Sequence, residues 1–149
     1  MGNTRISILM YLLQQAGVIS GKTRLQKLVF LLQEEFKVPF GYQFKPYHLG
    51  PLSFELQAEM DLLVNLGIAV EYIVELNPTE GKRRYDYALS EWGKDYVSKV
   101  VEPNLPQEVK EKISEGLHRW GSKSLDELLH YVHTRYPSYH LPPAHILYE

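Results

Sequence analysis

The stretch of sequence that decides the fold runs from Tyr47 to Ser90 and reads YHLGPLSFELQAEMDLLVNLGIAVEYIVELNPTEGKRRYDYALS. Ser53 is a favourable N-cap, and apolar residues follow it at helical spacing as far as Gly67, which predicts a helix between these two residues. From Ile68 onward the residues alternate at a period of two, then a Pro- and Gly-containing turn precedes a second alternating run. This pattern predicts an antiparallel hairpin. Ser90 is then expected to cap a further helix.

Helices are predicted on both sides of this helix–hairpin unit. Apolar residues at helical spacing indicate a first helix over Thr4–Ala16 and a second from about Thr23, which is apolar on most of its circumference and should lie at the centre of the fold. Residues 37–52 contain too much Pro and Gly for a helix. Within them, Tyr42–Tyr47 is expected to be extended and to pair at the edge of the hairpin.

The predicted fold is mainly α with a small antiparallel β-hairpin, in a single domain of 149 residues. It comprises a winged-helix-like core over residues 1–100, a C-terminal helical extension over residues 104–137 and a Pro-rich tail over residues 138–149. Winged helices usually present the helix before the hairpin to DNA. Here that helix carries Glu55, Glu59 and Asp61 and no Lys or Arg, so it would repel phosphates.

Composition narrows the function classes. The formal net charge of −2 and a pI near 6.3 provide no global attraction to nucleic acid or to anionic membranes. The absence of Cys excludes disulfides and thiolate catalysis. No secretory signal and no apolar run of about 20 residues is present, so we expect a cytoplasmic protein without a membrane partner.

Two groups of residues are candidates for binding a partner. Gly50-Pro51 fixes a turn that holds Tyr47 and His48 on a stiff loop ending at Ser53, which suits either a binding surface or a rigid entry into the helix. On the second helix, Arg24 and Lys27 lie three residues apart and therefore on one side. They would either anchor an acidic partner or form an ordinary solvated face.

Other motifs point to different chemistry. Lys82, Arg83 and Arg84 at the hairpin tip would contact a DNA backbone or simply solubilise the turn. Because a metal needs convergent ligands, which one flank of an amphipathic helix rarely supplies, no metal is predicted. The nucleophile-elbow and phosphate-loop motifs are absent, so a metal-dependent enzyme is the one enzymatic hypothesis that stays open. The weak metal candidates share such a flank and are Asp126, His130 and His133.

Three segments resemble a known family. Thr23–Leu31 (TRLQKLVFL) resembles a helix of the SocA-like Panacea domains and of the largely uncharacterised YwgA-like proteins. Tyr47–Ser53 is similar to the Gly-Pro loop of these proteins, and Leu129–Pro137 to the C-terminal pattern of the YwgA-like branch, which is the closer match. The resemblance covers most of residues 4–137.

The resemblance implies protein recognition without catalysis or a cofactor, since Panacea domains occur in antitoxins and phage-associated proteins and one branch is a protease adaptor. We therefore expect a non-catalytic protein-interaction module of a prokaryote or phage, whose partner would be a toxin or a protease substrate. A winged-helix DNA-binding regulator is the alternative, and homo-oligomerisation stays open. The predicted partner-binding residues are Arg24, Lys27, Tyr47, His48, Gly50, Pro51 and Ser53.

Overall fold

The computed structural model describes residues 2–141, with side chains from residue 4 onward. The part of the predicted Pro-rich tail from Pro142 onward therefore lies outside the described residues. The elements in chain order are α1 (Gly2–Ala16), β1 (Val18–Ser20), α2 (Lys22–Glu34), α3 (Phe54–Asn65), β2 (Ala69–Asn77), β3 (Lys82–Leu89), α4 (Glu91–Tyr96), α5 (Gln107–Trp120) and α6 (Leu125–Arg135). A π-helical turn (Val97–Val101) and a 3-10 turn (Glu102–Asn104) extend α4, and a second 3-10 turn (Pro137–Tyr139) follows α6.

The predicted hairpin is part of a three-stranded antiparallel sheet with the order β1-β3-β2. β2 and β3 pair from Ala69 opposite Leu89 to the tip, with a bulge between Glu75 and Asn77. The strand β1, which pairs with β3 through Ile19 opposite Tyr87, was not predicted. Three residues are too few to display an alternating pattern. The mainly α architecture with a small antiparallel sheet is confirmed.

The predicted helix starts at Ser53 and Ser90 are confirmed by their caps, and α6 begins in the same way at Ser124. The hydroxyl oxygens of Ser53, Ser90 and Ser124 each accept a hydrogen bond from a backbone N–H three residues later, at 3.0–3.1 Å. Each such bond satisfies one of the unpaired amides at a helix start. Gly67 ends the turn after α3 with φ of 76°, a left-handed conformation that favours glycine.

The helix α2 lies at the centre of the core, as its apolar circumference predicts. All eight residues from Leu25 to Leu32 are buried, and α2 contacts α3, α5, α6 and the sheet. Burial on all sides explains why this helix has no broad solvated face.

The segment between α2 and α3 does not pair with the hairpin, so that prediction is wrong. Lys45 pairs instead with Leu52, and Tyr47 forms a parallel bridge with His140. The chain therefore folds back on itself before α3 and is held from outside by the segment that follows α6.

Across the described part of the chain, every helix is too short or too polar to traverse a lipid bilayer.

Candidate partner-binding site

Two of the three segments that carry the family resemblance, Thr23–Leu31 and Tyr47–Ser53, contact each other. The side-chain amide of Gln26 on α2 donates to the carbonyl oxygen of Ser53 at 2.9 Å and accepts from the Ser53 N–H at 2.7 Å. Both ends of a buried amide are thereby satisfied by one residue of the loop. Because Ser53 also caps α3, Gln26 fixes the point at which the loop enters that helix.

Lys27 lies directly beneath the same loop. Its Nζ donates to the carbonyl oxygen of Pro51 at 2.8 Å, and its side chain is only 1% exposed. Within residues 4–141 no carboxylate oxygen lies within 4.0 Å of this ammonium group. Burial without a counter-ion disfavours the charged form and lowers the pKa of Lys27 to about 8.

The loop is closed at its base and turned at its tip by backbone hydrogen bonds. Lys45 and Leu52 exchange two bonds of 2.9 Å, and the Gly50 N–H donates to the Tyr47 carbonyl at 3.1 Å. Gly50 adopts φ of 106°, and a Cβ at this position would lie 3.4 Å from Cε of Lys27. Glycine is favoured here by the backbone conformation, whereas a Cβ at that distance would make an ordinary van der Waals contact.

A segment after α6 fastens the loop from the outside. The Tyr47 N–H donates to the Tyr139 carbonyl at 3.3 Å, and the Leu141 N–H donates to the Tyr47 carbonyl at 3.0 Å. The ring of His140 packs edge-on against that of His133, with centroids 4.0 Å apart. Tyr47 is thus held through its backbone, while its side chain remains partly exposed to solvent.

A pocket of about 450 Å³ opens between the start of α2, the loop and the start of α3. Three large apolar side chains at the pocket are substantially exposed: Tyr47 by 43%, Leu49 by 55% and Phe54 by 62%. The rings of Tyr47 and Phe54 meet edge to face, with centroids 6.2 Å apart. The lining residues are Lys22, Thr23, Gln26, Lys27, Tyr47, His48, Leu49, Leu52, Phe54 and Gln57.

The predicted loop residues therefore divide into two groups. Tyr47 and His48 are exposed and line the pocket, whereas Gly50, Pro51 and Ser53 are buried and shape the backbone. The latter can influence a partner only through the loop conformation.

The prediction that Arg24 and Lys27 share an exposed face of α2 is wrong. Lys27 is buried under the loop, and the Arg24 guanidinium donates to the Lys123 carbonyl at 2.7 Å in the turn before α6. Arg24 does not line the pocket formed by Lys27 and the loop. The apolar circumference of α2 leaves too little surface for a charged face that includes both residues.

Sequence reasoning missed Gln26, Leu49 and Phe54. Phe54 carried a usable signal, because it precedes the buried stripe of α3, formed by Leu56, Met60 and Leu63, and so has no place in the core. An apolar residue outside the buried stripe of an amphipathic helix is a candidate for contact with another molecule.

The basic residues at the hairpin tip are engaged within the hairpin. Lys82 lies 3.4 Å from Glu80, and Arg83 lies 3.4 Å from Glu75. Arg84 donates two bonds of 2.7 and 2.9 Å to the carboxylate of Asp86. Each cation has a carboxylate neighbour, which reduces the positive potential that a phosphate backbone would meet.

The weak metal candidates do not converge. Asp126, His130 and His133 are exposed on α6, and within residues 4–141 no three His, Asp or Glu side chains are placed to hold an ion. The closest aromatic partner of His133 is His140, which contributes no third ligand.

The chain is similar to an uncharacterised protein of Bacillus subtilis (strain 168), YwgA. The two are 29% identical over 90 residues, which is 60% of this chain and 51% of YwgA. The chain thus spans about half the length of the curated relative that it matches. This similarity supports the YwgA-like branch of the resemblance. No protein-family model matches the chain.

Proposed function

We propose that this chain is a non-catalytic protein-interaction module that binds apolar side chains of a protein partner in the pocket beside the Tyr47–Ser53 loop. The observation that carries the proposal is the exposure of Tyr47, Leu49 and Phe54 around one preformed pocket. Large apolar side chains gathered at a concave site are characteristic of binding surfaces, where aromatic anchors contribute most of the energy.

The two buried polar side chains of the pocket, Gln26 and Lys27, support an apolar ligand. Gln26 has both ends of its amide bonded to Ser53, and Lys27 is bonded to Pro51. Because these two side chains are already bonded to the loop, they contribute little hydrogen bonding to a ligand. The same bonds hold the loop in one conformation before binding, which lowers the entropic cost of association.

The exposed parts of Leu49 and Phe54 favour a protein over a small molecule. Both residues line the pocket, and more than half of each is exposed to solvent. A small ligand would cover the pocket alone, whereas a protein surface would also cover these rim residues. The exposed acids of α3, Glu55 and Asp61, lie next in sequence to this surface and would favour a basic rim on the partner.

The resemblance to SocA-like Panacea domains supports the same function. Panacea domains act as partner-binding domains in antitoxins and adaptors, so the partner would be a toxin or a protease substrate in the cytoplasm of a prokaryote or phage-infected cell. We include a winged-helix relationship in the proposal. It is supported by the order of the elements, in which helices and the short strand β1 precede a hairpin that pairs with β1 through β3.

A DNA-binding role has less support. The helix before the hairpin carries Glu55, Glu59 and Asp61, and each cation at the hairpin tip is already beside a carboxylate. A duplex would have to separate these pairs before its phosphates were neutralised.

The experiment is co-purification of the tagged chain from its host, comparing wild type with Tyr47→Ala/Phe54→Ala. Trp92→Ala is the matched control, because Trp92 is an equally exposed aromatic on α4 that does not line the pocket. We expect one stoichiometric partner with wild type and the control. Its affinity should fall by roughly 30-fold or more in the double variant, as for loss of an interface hot spot. The absence of such a partner, or equal recovery by all three proteins of unchanged circular dichroism, contradicts the proposal.

A further inference from the structure

The strand β2 is an uncovered edge of the sheet. The order β1-β3-β2 gives β2 a neighbour on one side only. Within residues 2–141, no backbone N–H or C=O of Ala69–Glu75 forms a hydrogen bond other than to β3. Half of the backbone groups of this segment therefore face outward without a protein partner, in the arrangement that templates the addition of another strand.

The edge lacks most of the features that normally prevent such pairing. β2 contains no Pro, Lys or Arg, and its bulge lies at the tip, between Glu75 and Asn77. Tyr72 and Ile73 are 51% and 56% exposed, and as consecutive residues of a strand they lie on opposite faces. An added strand would therefore find apolar surface on both faces of the sheet.

The charges of β2 determine which side chains an added strand should carry. Glu71 and Glu75, its only charged residues, flank Ile73 at a spacing of two and so share its face. Glu71 accepts a hydrogen bond of 2.8 Å from the Tyr87 hydroxyl, and Glu75 lies 3.4 Å from Arg83. Two carboxylates beside one arginine leave a net charge of −1, so the edge remains acidic.

Self-pairing of β2 is opposed by the same charges. In the antiparallel register centred on Ile73, which overlaps the two strands fully, Glu71 of each copy faces Glu75 of the other. Like charges directly opposite each other destabilise a strand pair. A different chain with basic residues at these two positions converts both repulsions into attractions.

We propose that the β2 edge binds, by strand addition, an extended segment of a partner protein with a basic residue, an apolar residue and a second basic residue at alternate positions. The basic residues lie opposite Glu71 and Glu75, and the apolar residue packs beside Ile73. The positions between them are β-branched and pack beside Tyr72 on the other face. This surface is distinct from the pocket, and the two proposals can fail separately.

The probe is the peptide Thr-Lys-Val-Ile-Val-Lys-Thr-amide, labelled with fluorescein at its N-terminal amine and titrated by fluorescence anisotropy at low salt. We expect saturable binding that becomes roughly three- to ten-fold weaker in Glu71→Gln/Glu75→Gln, as for the loss of two cross-strand charge pairs. Glu91→Gln/Glu108→Gln changes the net charge equally at exposed sites on other elements and should bind as wild type does. A peptide with Glu in place of both Lys residues should not bind.

Main-chain pairing is tested separately with two N-methylated peptides, methylated at the odd or at the even positions. Only one set of N–H groups faces the edge in an added strand, so one methylated peptide should lose binding and the other should keep it. Equal binding of both, equal weakening by the control variant, or no binding at millimolar peptide overturns the proposal. A concentration-dependent dimer in sedimentation velocity that Ile73→Lys abolishes would identify a second copy as the occupant and overturn it as well.

Discussion

The buried ammonium group of Lys27 makes the stability of this protein depend on pH in a way that a surface lysine does not. Burial lowers the pKa of Lys27 from its ordinary value near 10.5 to about 8 in the folded state. Between these two values the unfolded chain binds more protons than the folded chain, so the free energy of unfolding rises with pH. The penalty is present below pH 8 and amounts to about 3 kcal/mol, because each pKa unit corresponds to about 1.36 kcal/mol.

The measurable part of this effect is about 2 kcal/mol between about pH 7 and pH 9.5, from the same linkage relation. The assay is urea unfolding followed by far-ultraviolet circular dichroism at several pH values across this window. Lys27→Met keeps most of the side-chain volume and removes the titrating group. Its free energy of unfolding should therefore lack the rise that wild type shows. Lys123→Met, at an exposed lysine that has no ion pair within residues 4–141, should keep the rise.

Tyrosines have the opposite effect on the free energy of unfolding near the upper end of this pH range. The comparison of wild type with Lys27→Met removes their contribution. Burial raises the pKa of Tyr42, Tyr87 and Tyr136, so the unfolded chain loses their protons first and stability falls as pH approaches 10. Lys27→Met contains the same tyrosines, so the difference between it and wild type isolates the lysine. Parallel pH profiles for these two proteins would refute a buried, uncompensated charge beneath the loop.

Two further predictions concern the loop itself. Gly50→Ala should destabilise the protein by more than Gly17→Ala in urea unfolding. Both residues have positive φ, which costs an alanine roughly 1–2 kcal/mol. The φ of 106° at Gly50 lies further from the left-handed region that alanine can adopt than the φ of 80° at Gly17, whereas the new Cβ at Gly50 would make only ordinary van der Waals contacts with Lys27 and Val132. Equal losses would show that this difference in φ is unimportant. Ser53→Ala should lower the free energy of unfolding by about 1 kcal/mol through loss of the α3 cap, and Ser53→Thr should recover part of it; an unchanged Ser53→Ala protein would contradict the cap.

The helices and the hairpin were predictable because their signals are local. Ser53, Ser90 and Ser124 bond to amides three residues away, and Gly67 terminates its own turn, so a short window of sequence contains the whole interaction. The strand β1 gave no such signal. It exists because β3 offers it a partner almost 70 residues later, which is a tertiary contact and not a pattern.

The burial of Lys27 shows where local reasoning about the site fails. The sequence predicts both that α2 is central and that Lys27 lies on an exposed face, and these two expectations conflict on a helix with apolar residues on most sides. The structure resolves the conflict in favour of burial because the Pro51 carbonyl, 24 residues away, supplies the hydrogen bond that the ammonium requires. A fold-back of the chain between α2 and α3 creates this contact, and no property of α2 alone indicates it.

The contacts of the loop separate the residues that shape the site from those that a partner would touch. Gln26 and Lys27 bond to the loop backbone and the Ser53 hydroxyl caps α3, so substituting them alters the loop or its entry into that helix. Tyr47 and Phe54 have exposed side chains and can be changed with little effect on the core. A chain that retained the buried set and varied the exposed set would keep the same pocket and bind a different partner. Affinity in such a design depends on both sets, whereas specificity depends mainly on the exposed one.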